Sequence, residues 1–164
     1  MRTAADNRRE HLLLLGGAVL GAVAFFLIFG FSPLDVTNDA FCRGGYIEKD
    51  IQQHYAGWLF YRQSPLSFPL CVTADINAPQ GLSIAYTDSI PLFAAFFRLL
   101  SPLLPSTFQY FGWFTLLCLL AQGAVGARLL GLFLNGVSAP LLGDLFFVFS
   151  PVLWERTLRH TSLA

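Results

Sequence analysis

Four apolar runs punctuate this chain, and polar segments between them carry most of its charge. The first, 12–31, is 20 residues without a charged side chain. At 1.5 Å per residue that is enough to cross a hydrocarbon core of about 30 Å. The second, 90–104, is 15 residues, bracketed by Pro91 and Pro105 and carrying Arg98 at its centre. The third, 108–127, opens on Phe108, Tyr110, Phe111, Trp113 and Phe114, an aromatic belt of the kind found at membrane surfaces, and ends at Arg128. The fourth, 136–154, contains Asp144 and has Pro151 near its end.

Runs of full length predict helices that span a membrane. A run of 15 residues with a central arginine predicts an interfacial or re-entrant helix, because arginine at mid-bilayer costs about 2.5–3.5 kcal/mol on insertion scales. Between the first two runs, Gly44-Gly45 and Ser64-Pro65 bracket one convincing helix, 46–61. On it Ile51, Tyr55, Trp58 and Leu59 share one face, while Asp50 and His54, four apart, share another. This reads as an amphipathic helix on a membrane surface with a carboxylate and an imidazole on its polar side.

The fold expected is therefore an all-α polytopic membrane protein with juxtamembrane helices in a large first extracytoplasmic loop. Its parts are a cytoplasmic N-terminus (1–11), a span (12–31), the extracytoplasmic loop (32–107), a span (108–127), a cytoplasmic loop (128–135), a span (136–154) and an extracytoplasmic end (155–164). Arg2, Arg8 and Arg9 place the N-terminus inside. The first run exceeds the apolar region of a cleaved signal peptide, and Ser32-Pro33-Leu34-Asp35 follows it in place of a small-x-small site. A competing topology lets 90–104 cross. That choice puts Arg156 and Arg159 inside and scatters the titratable residues. The non-crossing topology puts Arg128 inside and gathers Asp50, His54, Asp88, Arg156 and His160 on one membrane face.

Composition agrees with a membrane protein: 55% of residues are hydrophobic and 12% charged, against about 25% charged in soluble domains. With a net charge of zero, nothing supplies the electrostatic basis for binding nucleic acid. The lipid bilayer is the partner implied. No phosphate-binding glycine loop, CxxC or GxSxG is present. Cys42 and Cys71 flank the polar loop and can pair if it faces an oxidising compartment. Cys118, in an apolar run, reads as a packed residue.

The chemistry-bearing candidates each have a plain alternative. Asp50 reads as a general base or metal ligand with His54 as its orienter or co-ligand, or else the two are a solvated pair on a surface helix. Any divalent metal would fall to Asp50 and His54. Asp88 and Ser89 read as site residues or as caps for the helix opening at Ile90-Pro91, and the roles are compatible. Arg156 and His160, also four apart, suit a phosphate leaving group, or else they are an interfacial basic cluster touching lipid headgroups. Asp144 faces the protein interior, is hydrated near a membrane surface, or pairs with Arg128.

Several stretches together resemble an uncharacterised bacterial family of multi-spanning membrane proteins, itself similar to the GT-C glycosyltransferases. They are Asp50-Ile-Gln-Gln-His54-Tyr-Ala-Gly57-Trp58, Phe60-Tyr61-Arg62, Phe68-Pro69, Tyr86-Thr87-Asp88-Ser89-Ile90-Pro91-Leu92, Phe108-Gln109-Tyr110-Phe111-Gly112, Gln122-Gly123, and Pro151 with Arg156 and His160-Thr-Ser-Leu163. The resemblance implies a multi-pass protein of the bacterial cytoplasmic (inner) membrane. It implies transfer of a sugar from a polyprenyl-phosphate donor on the extracytoplasmic side. By it, Asp50 takes the place of the first-loop acid, and Arg156 and His160 take the motif after the returning span. GT-C enzymes have many more spans than are read here, so the chain is expected to be the N-terminal part of a longer protein and inactive alone. The alternative is a non-enzymatic membrane scaffold or transporter component.

Overall fold

A computed structural model describes residues 4–44 and 50–161. The chain is mostly helical, as expected, and forms two compact units. Its elements are α1 (Ala4–Phe29), α2 (Asp50–Gln63), β1 (Val72–Thr73), β2 (Leu82–Ser83), α3 (Pro91–Leu99), α4 (Phe111–Leu130), α5 (Ser138–Val148) and α6 (Pro151–Arg156). The small antiparallel ribbon β1–β2, pairing Val72 with Ser83 and Thr73 with Leu82, is the one departure from an all-helical fold among the described residues.

Among the described residues the first unit holds 4–33 and 112–157. Two of its helical segments, Asp6–Phe29 and Phe111–Leu130, are long and apolar enough to cross a membrane. They pack through glycines. A Cβ on Gly17 would overlap the Gly123 carbonyl, and one on Gly21 would overlap the Leu119 carbonyl. Gly17 and Gly21 form a GxxxG pair, the spacing that lets two helix backbones approach closely. Arg9 fastens the turn after α4, donating to the carbonyls of Gly131 (3.0 Å), Leu134 (2.6 Å) and Gly136 (2.9 Å).

Arg128 pairs with Glu10 and not with Asp144. Asp144 is fully buried, its carboxylate set against the bare Cα of Gly126. Gln122 donates to the Phe147 carbonyl of α5 (3.3 Å). The fourth run is not one helix: it breaks after Val148 and restarts at Pro151, whose ring cannot continue the ladder of a preceding turn.

Among the described residues the second unit holds 34–44, 50–111 and 158–161. Its core is built on α2. Ile51, Tyr55, Trp58 and Tyr61 are buried with Cys42, Ile84, Ala94, Phe108, Tyr110 and Phe111. Trp58 is fully buried and donates its indole N–H to the Phe108 carbonyl (2.9 Å). Arg62 lies 5.8 Å over the Trp58 ring and clamps the turn at 101–106, with bonds to Ser101 Oγ (2.8 Å) and the carbonyls of Leu104 (3.0 Å) and Pro105 (2.7 Å). Arg98 donates to the Ser64 carbonyl just past α2 (2.6 Å).

Several expectations change here. The expected start of α2 at 46–49 lies outside the described residues. Helix α2 is the centre of a packed module, buried on more than one face, because aromatic residues from 108–111 cover it. Phe108 and Tyr110 precede the third helix instead of belting it, and Gln109 donates to the Asp35 carbonyl (2.9 Å). Cys42 and Cys71 are free thiols. Helix α3 is nine residues long, about 14 Å.

Candidate functional site

The α2 helix puts His54 one turn after Asp50, but the two do not share a solvated face. His54 is 1% exposed, whereas the Asp50 side chain is 59% exposed. The cause is the segment 84–89, which lies along α2. Gly57 makes that approach possible, since a Cβ there would overlap Thr87 Oγ1 and Ser89 Oγ. Ser89 Oγ donates to the His54 carbonyl (2.6 Å) and shares a hydrogen bond with Thr87 Oγ1 (2.8 Å). Tyr110 donates its hydroxyl to the Ser89 carbonyl. A buried serine with this many partners is a structural tie. It is not the expected helix cap: α3 begins at Pro91, and Ile90 before it makes no side-chain cap.

Asp88 is placed by backbone conformation. The 3₁₀ turn Ile84–Thr87 ends with Asp88 at φ 52°, ψ 30°. Aspartate tolerates this left-handed region better than most residues. The turn presents the carboxylate toward His54, where it stabilises the charged imidazole.

His160 arrives from the far end of the chain. Helix α6 stops at Arg156, Thr157 is extended (ψ 130°), and Leu158 sits at φ 61°. Arg156 and His160, four apart in sequence, are therefore not on one helix. Arg156 is exposed and belongs to the first unit, whereas His160 folds into the second. There its ring stacks on that of His54, with centroids 5.6 Å apart and planes 28° apart. Its Nδ1 lies 3.6 Å from Asp50 Oδ2, an ion-pair separation beyond hydrogen-bond length.

Of the five residues expected at a site, the second unit thus brings together Asp50, His54, Asp88 and His160. One ligand atom from each of His54, Asp88 and His160 lies within 4.8 Å of the others. Among the described residues the cluster of three able to hold a metal ion is this trio, and Asp50, expected beside His54, lies outside it. Burial pushes the His54 imidazole below its ordinary range. Asp88 and Asp50 pull it up and His160 pushes it further down. At neutral pH His54 is therefore a neutral imidazole with a lone pair to offer. Neither His54 Nδ1 nor His160 Nδ1 has a hydrogen-bond partner, although both atoms are buried.

The model of a family described as a domain of unknown function (DUF6311) matches residues 18–164. The chain belongs to that family. The matched stretch includes all five expected site residues and the GxxxG position Gly21. No curated protein and no solved structure matches the chain.

Proposed function

We propose that this DUF6311 chain is part of a polytopic membrane glycosyltransferase of GT-C type, with the second unit as its extracytoplasmic catalytic module. One observation carries the reading: residues 34–44, 50–111 and 158–161 fold together around Asp50, His54, Asp88 and His160. Segments of one compact unit occupy one side of a bilayer, so the chain between them, α4 and then α5–α6, crosses twice or not at all. Crossing is favoured because only 28% of the apolar window of α1 and 33% of that of α4 is buried. The core helix of a soluble protein hides most of its apolar side chains. Helix α3, at nine residues, is too short to cross and lies in the same module.

In this reading a sugar linked to a polyprenyl phosphate meets an acceptor hydroxyl at the module. Asp50, exposed at the first turn of α2, takes the acceptor proton. The acceptor oxygen attacks the anomeric carbon from the face opposite the phosphate. The sugar–phosphate C–O bond breaks, and the electron pair leaves on the lipid phosphate with inversion at the sugar. His160, 3.6 Å from Asp50 in the same unit, offsets the charge developing on that phosphate.

Asp50→Asn in the whole protein, in its native membrane, should lower transfer from a radiolabelled lipid-phosphate sugar by at least about a hundredfold, the usual range for loss of a general base. Membrane insertion should stay intact. Wild-type turnover in that variant refutes the role given to Asp50, and no transfer by the wild-type protein leaves the scaffold or transporter reading in its place.

A further inference from the structure

We propose that His54, Asp88 and His160 form a zinc site in which Asp50 orients His160 from outside the coordination sphere. Four observations converge on it. The three residues come from three separate stretches, the middle of α2, the end of a 3₁₀ turn, and the segment after α6, yet their ligand atoms lie within 4.8 Å of one another. His54 is 1% exposed and its Nδ1 has no hydrogen-bond partner. A buried imidazole in that state lacks the bond that such groups ordinarily make. His160 stacks on it, with ring centroids 5.6 Å apart. Finally, Asp50 stands 3.6 Å from His160 Nδ1. That is the place taken by the carboxylate which fixes a metal-ligating histidine through its other ring nitrogen.

The donor set favours a borderline transition metal such as zinc over magnesium or calcium. Magnesium and calcium take six or more oxygen ligands, and this trio offers one carboxylate against two imidazoles. Two histidines with one carboxylate match the three-ligand zinc sites that keep a position open. Zinc–nitrogen and zinc–oxygen bonds of about 2.0–2.2 Å place tetrahedral ligands roughly 3.3–3.5 Å apart. Closing from 4.8 Å therefore needs movement of roughly 1.4 Å, and Asp88 and His160, both partly exposed, are the residues free to make it. His54 stays fixed by its burial. The fourth position faces water or an anionic oxygen.

This inference goes beyond the glycosyltransferase reading and does not depend on it. Metal uptake by a protein that transfers no sugar would preserve the site and sink only the catalytic assignment.

The test is equilibrium dialysis of the whole protein, purified in detergent and stripped with chelator, against Zn²⁺. Co²⁺ titration serves as the optical probe. The expected result is one ion per chain, with the visible d–d bands of a low-coordinate nitrogen–oxygen site and no thiolate charge-transfer band. Asp88→Asn and His160→Gln should each weaken uptake by more than about a hundredfold, and Asp50→Asn by about tenfold, the effect of losing an outer carboxylate. His11→Gln, at the histidine outside the trio, should bind as wild type. Each variant is checked for folding by circular dichroism, and both trio substitutions are at partly exposed positions. Wild-type Zn²⁺ affinity in both trio variants, no stoichiometric uptake, a thiolate band, or equal competition by Mg²⁺ would each overturn the proposal.

Discussion

At the scale of single residues, the molecule depends on a few positions where no side chain fits. Gly57 is the clearest. Its missing Cβ lets Thr87 and Ser89 lie against α2, and those residues hold the backbone that presents Asp88. Gly57→Ala should therefore cost about 1–3 kcal/mol, the range for overpacking a close contact. Thermal unfolding of the detergent-solubilised protein measures it, and an unchanged midpoint would contradict the close approach. The position of Gly57 was plain in the sequence, but its reason was not. Nothing local to α2 announces that a loop 30 residues later will press on that face. The burial of His54 was hidden for the same cause. Its spacing from Asp50 placed both on one side of a helix correctly. Whether that side meets water depended on segment 84–89.

At the scale of elements, helix lengths and breaks follow local chemistry. Pro91 and Pro151 each open a helix, where the missing N–H is harmless, and the apolar run of α1 is legible from sequence alone. Pairing of elements is less so. The Gly17–Gly21 stripe on α1 meets Gly123 on α4, and a register shift of one residue would bring side chains into the contact. Gly17→Ile and Gly21→Ile should each loosen this pair. A disulfide between α1 and the end of α4, placed at Leu13→Cys and Gly131→Cys, where the Leu13 side chain meets the bare Gly131, reports it. Crosslinking should fall severalfold in the isoleucine variants, and undiminished crosslinking would show that the glycines do not set the approach. The GxxxG spacing was visible in the sequence. What it could not reveal was which helix would use it.

At the scale of the whole molecule, the prediction concerns sides of a membrane. Residues 34–44, 50–111 and 158–161 belong to one unit, and the turn between α4 and α5 belongs to the other. In a background with the native cysteines replaced by serine, Tyr86→Cys, at a 74% exposed position, should react with an impermeant maleimide added outside intact cells. Asn135→Cys, in the turn after α4, should react only after permeabilisation. Equal labelling of both sites from outside would mean that α4 does not cross, and the proposed catalytic module would lose its membrane geometry.

Composition and apolar periodicity alone determined the helical class, the two long apolar helices and the list of titratable candidates. These follow from local quantities: run length, charge, proline and glycine position. Tertiary structure decided which candidates meet. Four of the five do, and Arg156 falls in the other unit because the chain leaves its helix at Thr157 and turns at Leu158 before reaching His160. It also decided that Asp88, and not Asp50, completes the histidine pair. Contacts between residues 34 and 106 positions apart depend on how the chain turns back on itself, and no local pattern carries that information.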